Sequence, residues 1–172
     1  VLAREDHVYE REVGPITEGK LTIATGEPAF APWVIDNEPE NGEGFEAAVS
    51  YAVADKLGYS KDDVVWVRST FDAAIAPGPK DFDLNIQQFS VTPERAKAVD
   101  FSSPYYETTQ AVVAAKGSKA AAATSIADLK DAVIGVMSGT TSLKAAEDVI
   151  APSSDVQVFN DNVDAVTALP AA

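Results

Sequence analysis

Asp83 to Tyr106, DLNIQQFSVTPERAKAVDFSSPYY, decides how the rest of the chain is read. Leu84–Gln88 has the composition of a strand and runs into a polar corner, Ser90-Val91-Thr92-Pro93. Pro93 suits a first helical position, because its fixed φ fits a helix and its missing N–H wastes no donor. A short helix carrying Arg95 is therefore predicted. Hydroxyls, open backbone amides and one guanidinium converge at the carboxyl end of a strand, which is where open α/β sheets hold ligands. A guanidinium grips a carboxylate with a planar fork of donors, and Ser90, Thr92 and the amide near Thr92 add to it. By composition alone Arg95 is a surface arginine paired with Glu94 or Asp100. In this corner it reads as part of a carboxylate clamp.

Outward from the clamp, strands and helices alternate, the pattern of a largely parallel α/β sheet. Leu21 to Thr25 is a strand that ends in the turn Gly26-Glu27-Pro28. Asp36 to Gly44 is a polar loop with hairpin-like turn chemistry. Phe45 to Leu57 carries a helical apolar stripe, with Gly58 placed to cap it. Val64–Val67 is a strand and Phe71–Ala76 a short helix. Beyond the clamp, Gln110–Ala114, Ala132–Met137 and Val156–Phe159 are predicted strands. Thr140–Val149 and Asp161–Leu169 are predicted helices, and Ser125-Ile-Ala-Asp128 opens another with a capping box. Val1 to Lys20 is charged and aperiodic, and reads as a tail or tether.

Composition removes several classes of function. Asp and Glu number 27 against 13 Lys and Arg, giving a formal net charge of −14. Such a surface repels nucleic acid and anionic lipid. Solubility is the plain reading of this charge, and attraction of cationic ligands cannot be established from bulk charge. His7 is the only histidine, so a histidine dyad or multi-histidine metal site is excluded by counting. The chain contains no cysteine, hence no disulfide framework or thiolate metal site, and no catalytic residue or cofactor is predicted. No stretch approaches the ~18 apolar residues of a membrane span. Neither a charged n-region nor an apolar h-region opens the chain, so any export signal has been removed or never existed.

Three further groups are candidates. Ser138-Gly139-Thr140-Thr141 joins a strand to a helix, where free amides and the macrodipole suit an anion, although one Gly with two Thr ordinarily marks only a cap. Phe30 and Trp33 follow the first strand and read either as core or as an aromatic wall. Glu27 is either an exposed turn acid or a partner for a cationic or amide-bearing group. Gln87 and Gln88 end the clamp strand. Alternation sends only one of them to the ligand side, Gln88 being the candidate.

S-V-T-P-E-R followed by V-D-F-S-S-P-Y-Y closely resembles the signature of the family 3 solute-binding proteins, the amino-acid receptors of ABC importers. The similarity runs from about Leu21 to the C-terminus. It implies the α/β type II periplasmic binding fold, with mainly parallel sheets and a hinge closing two lobes: a tail over 1–20, lobe 1 over 21–109 and a partial lobe 2 over 110–172. It implies that Arg95 holds the ligand's α-carboxylate, with Thr140 or Thr141 of the Gly139 turn donating to it. Phe30 would stack on the ligand side chain, Glu27 would meet it, Trp33 is core or pocket lining, and Tyr105 and Tyr106 would cover the hinge. The implied ligand is a small polar amino acid and the implied partner a membrane permease. The implied location is secreted, periplasmic or lipid-anchored at the cell surface.

The resemblance stops at Leu169-Pro-Ala-Ala172. Relatives continue into D-A-x-x-x-D, whose later Asp pairs with the α-ammonium, and into strands that return to the first lobe. The expectation is therefore a truncated chain with incomplete return strands, prone to dimerise or exchange strands, and a weak binder by itself. Two alternatives share the fold: a cyclohexadienyl-dehydratase-like lyase, for which Glu27 is the obvious acid, and a ligand-sensing domain of a larger receptor.

Overall fold

A five-stranded sheet and the helices on its two faces build the first of two units into which the chain divides, Val1–Pro104 and Tyr105–Ala172. The computed structural model describes residues 2–3 and 14–169. In chain order the first unit contains β1 (Leu2–Ala3), β2 (Leu21–Thr25), α1 (Phe45–Lys56), β3 (Val64–Arg68), α2 (Phe71–Ile75), β4 (Leu84–Asn85) and β5 (Val99–Asp100). The sheet order is β3-β2-β4-β1-β5.

β2 is buried at every position, as expected of a central parallel strand covered on both faces. It runs parallel to β3, pairing Leu21 with Val64 through Thr25 with Arg68, and parallel to β4, pairing Ala24 with Asn85. Alternation then divides its side chains. Leu21 and Ile23 join Ala54 of α1 and Ile86 in one core cluster, while Ala24 joins Ala74 of α2 and Phe82 in another. A fully buried Leu or Ile side chain contributes about 1.5–3 kcal/mol. Asp83 fixes where β2 begins: its carboxylate accepts 2.7 Å bonds from Ile16 N and Thr22 N.

α1 ends as its sequence predicts, with Gly58 in the left-handed region at φ 89°. Its start depends on a second glycine. Gly44 has φ 99°, and a Cβ there would lie 2.5 Å from the Trp33 carbonyl oxygen. That carbonyl accepts the amide of Glu46 at 3.0 Å, so the loop after β2 satisfies the first donors of α1 in place of a side-chain cap.

Several elements differ from the sequence reading. The polar loop of Asp36 to Gly44 is two 3-10 turns, Ile35–Asn37 and Pro39–Asn41, with Asp36 and Asn37 both left-handed. β4 is shorter than Leu84–Gln88: its last bond to β2 is Ile86 N to Ala24 O, and Gln88 beyond it takes φ 51°. The helix after Pro93 is a single 3-10 turn, Arg95–Lys97. The sheet is mixed, since β1 inserts antiparallel between β4 and β5, opposing Leu2 to Leu84 and to Asp100. Part of the stretch read as a tail therefore belongs to the sheet, while His7 and the rest of residues 4–13 lie outside the described residues, as do residues 170–172.

The second unit contains β6 (Gly135–Met137), α3 (Thr141–Ala145), β7 (Gln157–Phe159) and α4 (Asn162–Ala168), with β6 and β7 parallel. α3 continues as a π turn, Ala146–Ile150, which Ala151 closes at φ 46°. The capping box of Ser125 and Asp128 forms as predicted, on a 3-10 turn. Thr124, Ser125 and their amides hold the Asp128 carboxylate below its ordinary range. Gln110–Ala114 is not a strand: Val112 and Val113 are exposed, and among the described residues the sheet of this unit contains β6 and β7 alone. The units divide after Pro104, whereas the sequence reading draws the boundary after residue 109.

Candidate functional site

The parallel register of β2, β3 and β4 brings three turns to one edge of the first unit: Gly26-Glu27-Pro28, Ser69-Thr70, and Ile86 to Ser90. Ser69 N donates to Thr25 O and Ile86 N to Ala24 O, both at 2.9 Å, so the ladder persists to the point where the chains leave the sheet.

Arg95 is buried, only 9% exposed. Its Nη1 donates to the Ser90 carbonyl at 2.8 Å, so the guanidinium folds back over the corner that precedes it. The rings of Phe71 and Phe89, with centroids 4.3 Å apart, pack on one another and on the same side of the guanidinium, their centroids 5.3 and 5.7 Å from Cζ. Contacts of this kind contribute about 0.5–2 kcal/mol. Burial pushes the guanidinium below its ordinary value, with the Asp72 carboxylate acting in the opposite sense. It remains a cation at neutral pH, because arginine ordinarily loses its proton only far into the alkaline range. Thr92 Oγ1 accepts the Arg95 amide at 3.2 Å and so positions the turn that carries the guanidinium. Ser90 is exposed. The corner thus holds a desolvated cation beside two hydroxyls, which suits a small anion.

Gln88 and Glu46 set the shape of this corner. Glu46 is 0% exposed and sits in the first turn of α1, where the macrodipole favours a carboxylate. Its Oε1 accepts Gln88 N at 2.8 Å, and its Oε2 accepts Gln88 Nε2. The left-handed Gln88 is thereby clipped to α1. Neither Glu46 nor the aromatic pair of Phe71 and Phe89 stands out in the sequence. The Glu46 contact spans 42 residues, so nothing local to Gln88 announces it.

The other sequence candidates have definite neighbours. The Phe30 carbonyl accepts the amides of Trp33 and Val34 at 2.9 Å each, and Phe30 itself is half-buried. Trp33 meets Phe45 edge-on with centroids 5.8 Å apart. Glu27 Oε2 lies 3.5 Å from Arg68 Nε, and Glu27 Oε1 accepts Asn37 Nδ2 at 3.4 Å. The sequence reading leaves both of these partners out.

In the second unit Gly139 is left-handed at φ 67°. Thr140 caps α3: its Oγ1 accepts Leu143 N at 3.1 Å and donates to Met137 O at 2.8 Å. Gln110 clips the same turn, its Nε2 donating to Thr141 Oγ1 at 3.2 Å and its Oε1 accepting Ser142 Oγ at 2.7 Å. Thr140→Ala is expected to cost about 1 kcal/mol, the usual worth of such a cap, and Thr140→Ser to restore most of it in urea unfolding followed by circular dichroism. Full loss in the serine variant would contradict a capping role.

This is the type II periplasmic binding protein fold, with its anion-suited groups at the carboxyl ends of parallel strands. The chain belongs to the bacterial extracellular solute-binding proteins, family 3, whose pattern residues 21–167 match. It is 35% identical over 124 residues to the arginine-binding extracellular protein ArtP of Bacillus subtilis, covering 71% of this chain and 46% of that protein. A solved ancestral arginine-binding protein bound to glutamine is 34% identical with a TM-score of 0.74, covering 90% of this chain and 66% of the other. The arginine-, lysine-, histidine-binding protein ArtJ of Geobacillus stearothermophilus is 27% identical with a TM-score of 0.69, over 87% of this chain and 62% of the other. The chain thus spans under half the length of the Bacillus relative and about two thirds of these solved chains.

Proposed function

We propose that the protein binds a small polar amino acid outside the cytoplasm and delivers it to the permease of an ABC importer. The observation that carries this reading is the buried Arg95 guanidinium at the carboxyl end of β4. Ser90 and Thr92 supply hydroxyl donors beside it, and the half-buried Phe30 offers a ring to the ligand. The names of the relatives support the reading, since they are amino-acid-binding proteins. Among the described residues no helix is long and apolar enough to cross a membrane.

The lyase alternative needs a general acid, and Glu27 is its candidate. Here that carboxylate is engaged by Asn37 and faces Arg68, which supports a binding role over proton transfer.

The test is calorimetric titration of the full-length gene product with L-glutamine and L-arginine, and with their α-carboxamides. A free amino acid is expected to bind at micromolar Kd or tighter, roughly −8 kcal/mol. The matching α-amide should bind at least about a hundredfold more weakly, since it offers the guanidinium no charge. Equal affinity for acid and amide contradicts the clamp.

A further inference from the structure

We propose that Arg68 sets the side-chain selectivity of the site, turning it toward amino acids with an uncharged polar side chain, such as an amide, and away from cationic ones. This deepens the function proposed above and rests on Glu27, in the turn after β2 at the edge that carries the clamp, lying beside the ligand's side chain.

Arg68 ends β3 and lies opposite Thr25, the last residue of β2. Each of its guanidinium nitrogens is engaged. Nη1 donates to Gly26 O and to Asn37 Oδ1 at 2.8 Å each, Nη2 donates to Asn37 O at 2.5 Å, and Nε lies 3.5 Å from Glu27 Oε2. Asn37 is itself fixed, its Oδ1 accepting Ala29 N at 2.7 Å. The guanidinium cannot swing away without breaking bonds to two backbone carbonyls, and its side chain is only 28% exposed. Its charge is built in beside Glu27.

Glu27 differs in being open, with 56% of its side chain exposed, so its carboxylate can accept a bond from an incoming donor. What that donor meets is a neutral pair rather than a lone anion. An amide N–H gains the hydrogen bond without penalty. An ammonium or guanidinium gains it too, but is brought within a few ångströms of a second fixed cation, and like charges placed face to face oppose binding. The net charge of −14 favours cations at a distance, but at physiological salt that attraction fades within a Debye length of about 8 Å. At contact the neighbouring pair decides.

The experiment is calorimetry on the full-length gene product and its variants with L-glutamine and L-arginine as probes, each variant's fold being checked by circular dichroism. The wild-type protein is expected to bind glutamine more tightly than arginine. Arg68→Met should move that ratio toward arginine by about tenfold, equivalent to 1.4 kcal/mol. Arg68→Lys keeps the charge, loses the fork and should stay near the wild-type ratio. Glu27→Gln leaves Arg68 without its counter-charge and should weaken arginine more than glutamine. Where Arg68→Met does not fold, Arg68→Gln, which retains donors toward Asn37 and Gly26, carries the same measurement. Preference for arginine in the wild type, with a ratio unmoved by loss of the Arg68 charge, overturns the selectivity role and leaves the clamp standing. Failure of the folded wild type to bind either amino acid overturns the clamp reading and this inference together.

Discussion

Arg95→Ala is expected to lower amino-acid affinity by about two to three decades, measured by calorimetry on the full-length gene product. Truncating one partner of a buried, hydrogen-bonded charge pair costs about 2–5 kcal/mol, and each 1.4 kcal/mol is a factor of ten. Burial has already stripped the guanidinium of water, which is why its charged form is disfavoured. A carboxylate restores what solvation supplied. Arg95→Lys should recover little, because an ammonium lacks the planar fork and stacks poorly on the paired rings of Phe71 and Phe89. Folding stability should change much less, by about 1–2 kcal/mol, since lost ring contacts are offset by relief of desolvation. Near-native affinity in Arg95→Ala would remove this residue from the site.

Glu46→Ala is expected to be the most damaging single change to the fold near the site. The fully buried carboxylate accepts both the amide and the side-chain donor of Gln88. Hydrogen bonds to charged groups contribute about 1.5–3 kcal/mol each, so a loss of about 3 kcal/mol in urea unfolding is expected. Affinity should fall as well. Gln88 sits at φ 51°, a conformation that persists only where its surroundings impose it, and the chain leads directly from it to Phe89 and the Ser90 carbonyl that holds Arg95. Glu46→Gln should be intermediate, because a carboxamide offers one acceptor where two donors arrive. An unfolding midpoint unchanged in Glu46→Ala would show that Gln88 holds its conformation without the clip.

What the chain discloses in advance follows the range of the interactions involved. β2, α1 and β3 are legible because their patterns are local: alternation, an apolar stripe and a glycine in the left-handed region. The corner around Arg95 is legible for the same reason, its groups lying within a few residues of one another. The Gln110–Ala114 stretch reads as a strand yet forms none, because β-branched residues state a preference that only a pairing partner realises. The antiparallel insertion of Leu2–Ala3 between β4 and β5 joins segments about eighty to a hundred residues apart, and a strand that short carries no pattern of its own. The Arg68 network and the Glu46 clip were likewise hidden. Their partners are 31 and 42 residues away, so nothing adjacent to either residue announces its role.

The measurement that bears most directly on the central claim is a crystal structure of the full-length gene product grown with L-glutamine. The α-carboxylate is expected within about 3 Å of the Arg95 guanidinium, the ordinary span of a charge-assisted bond. A bound amino acid whose carboxylate lies elsewhere, with Arg95 still folded onto the Ser90 carbonyl, would contradict it.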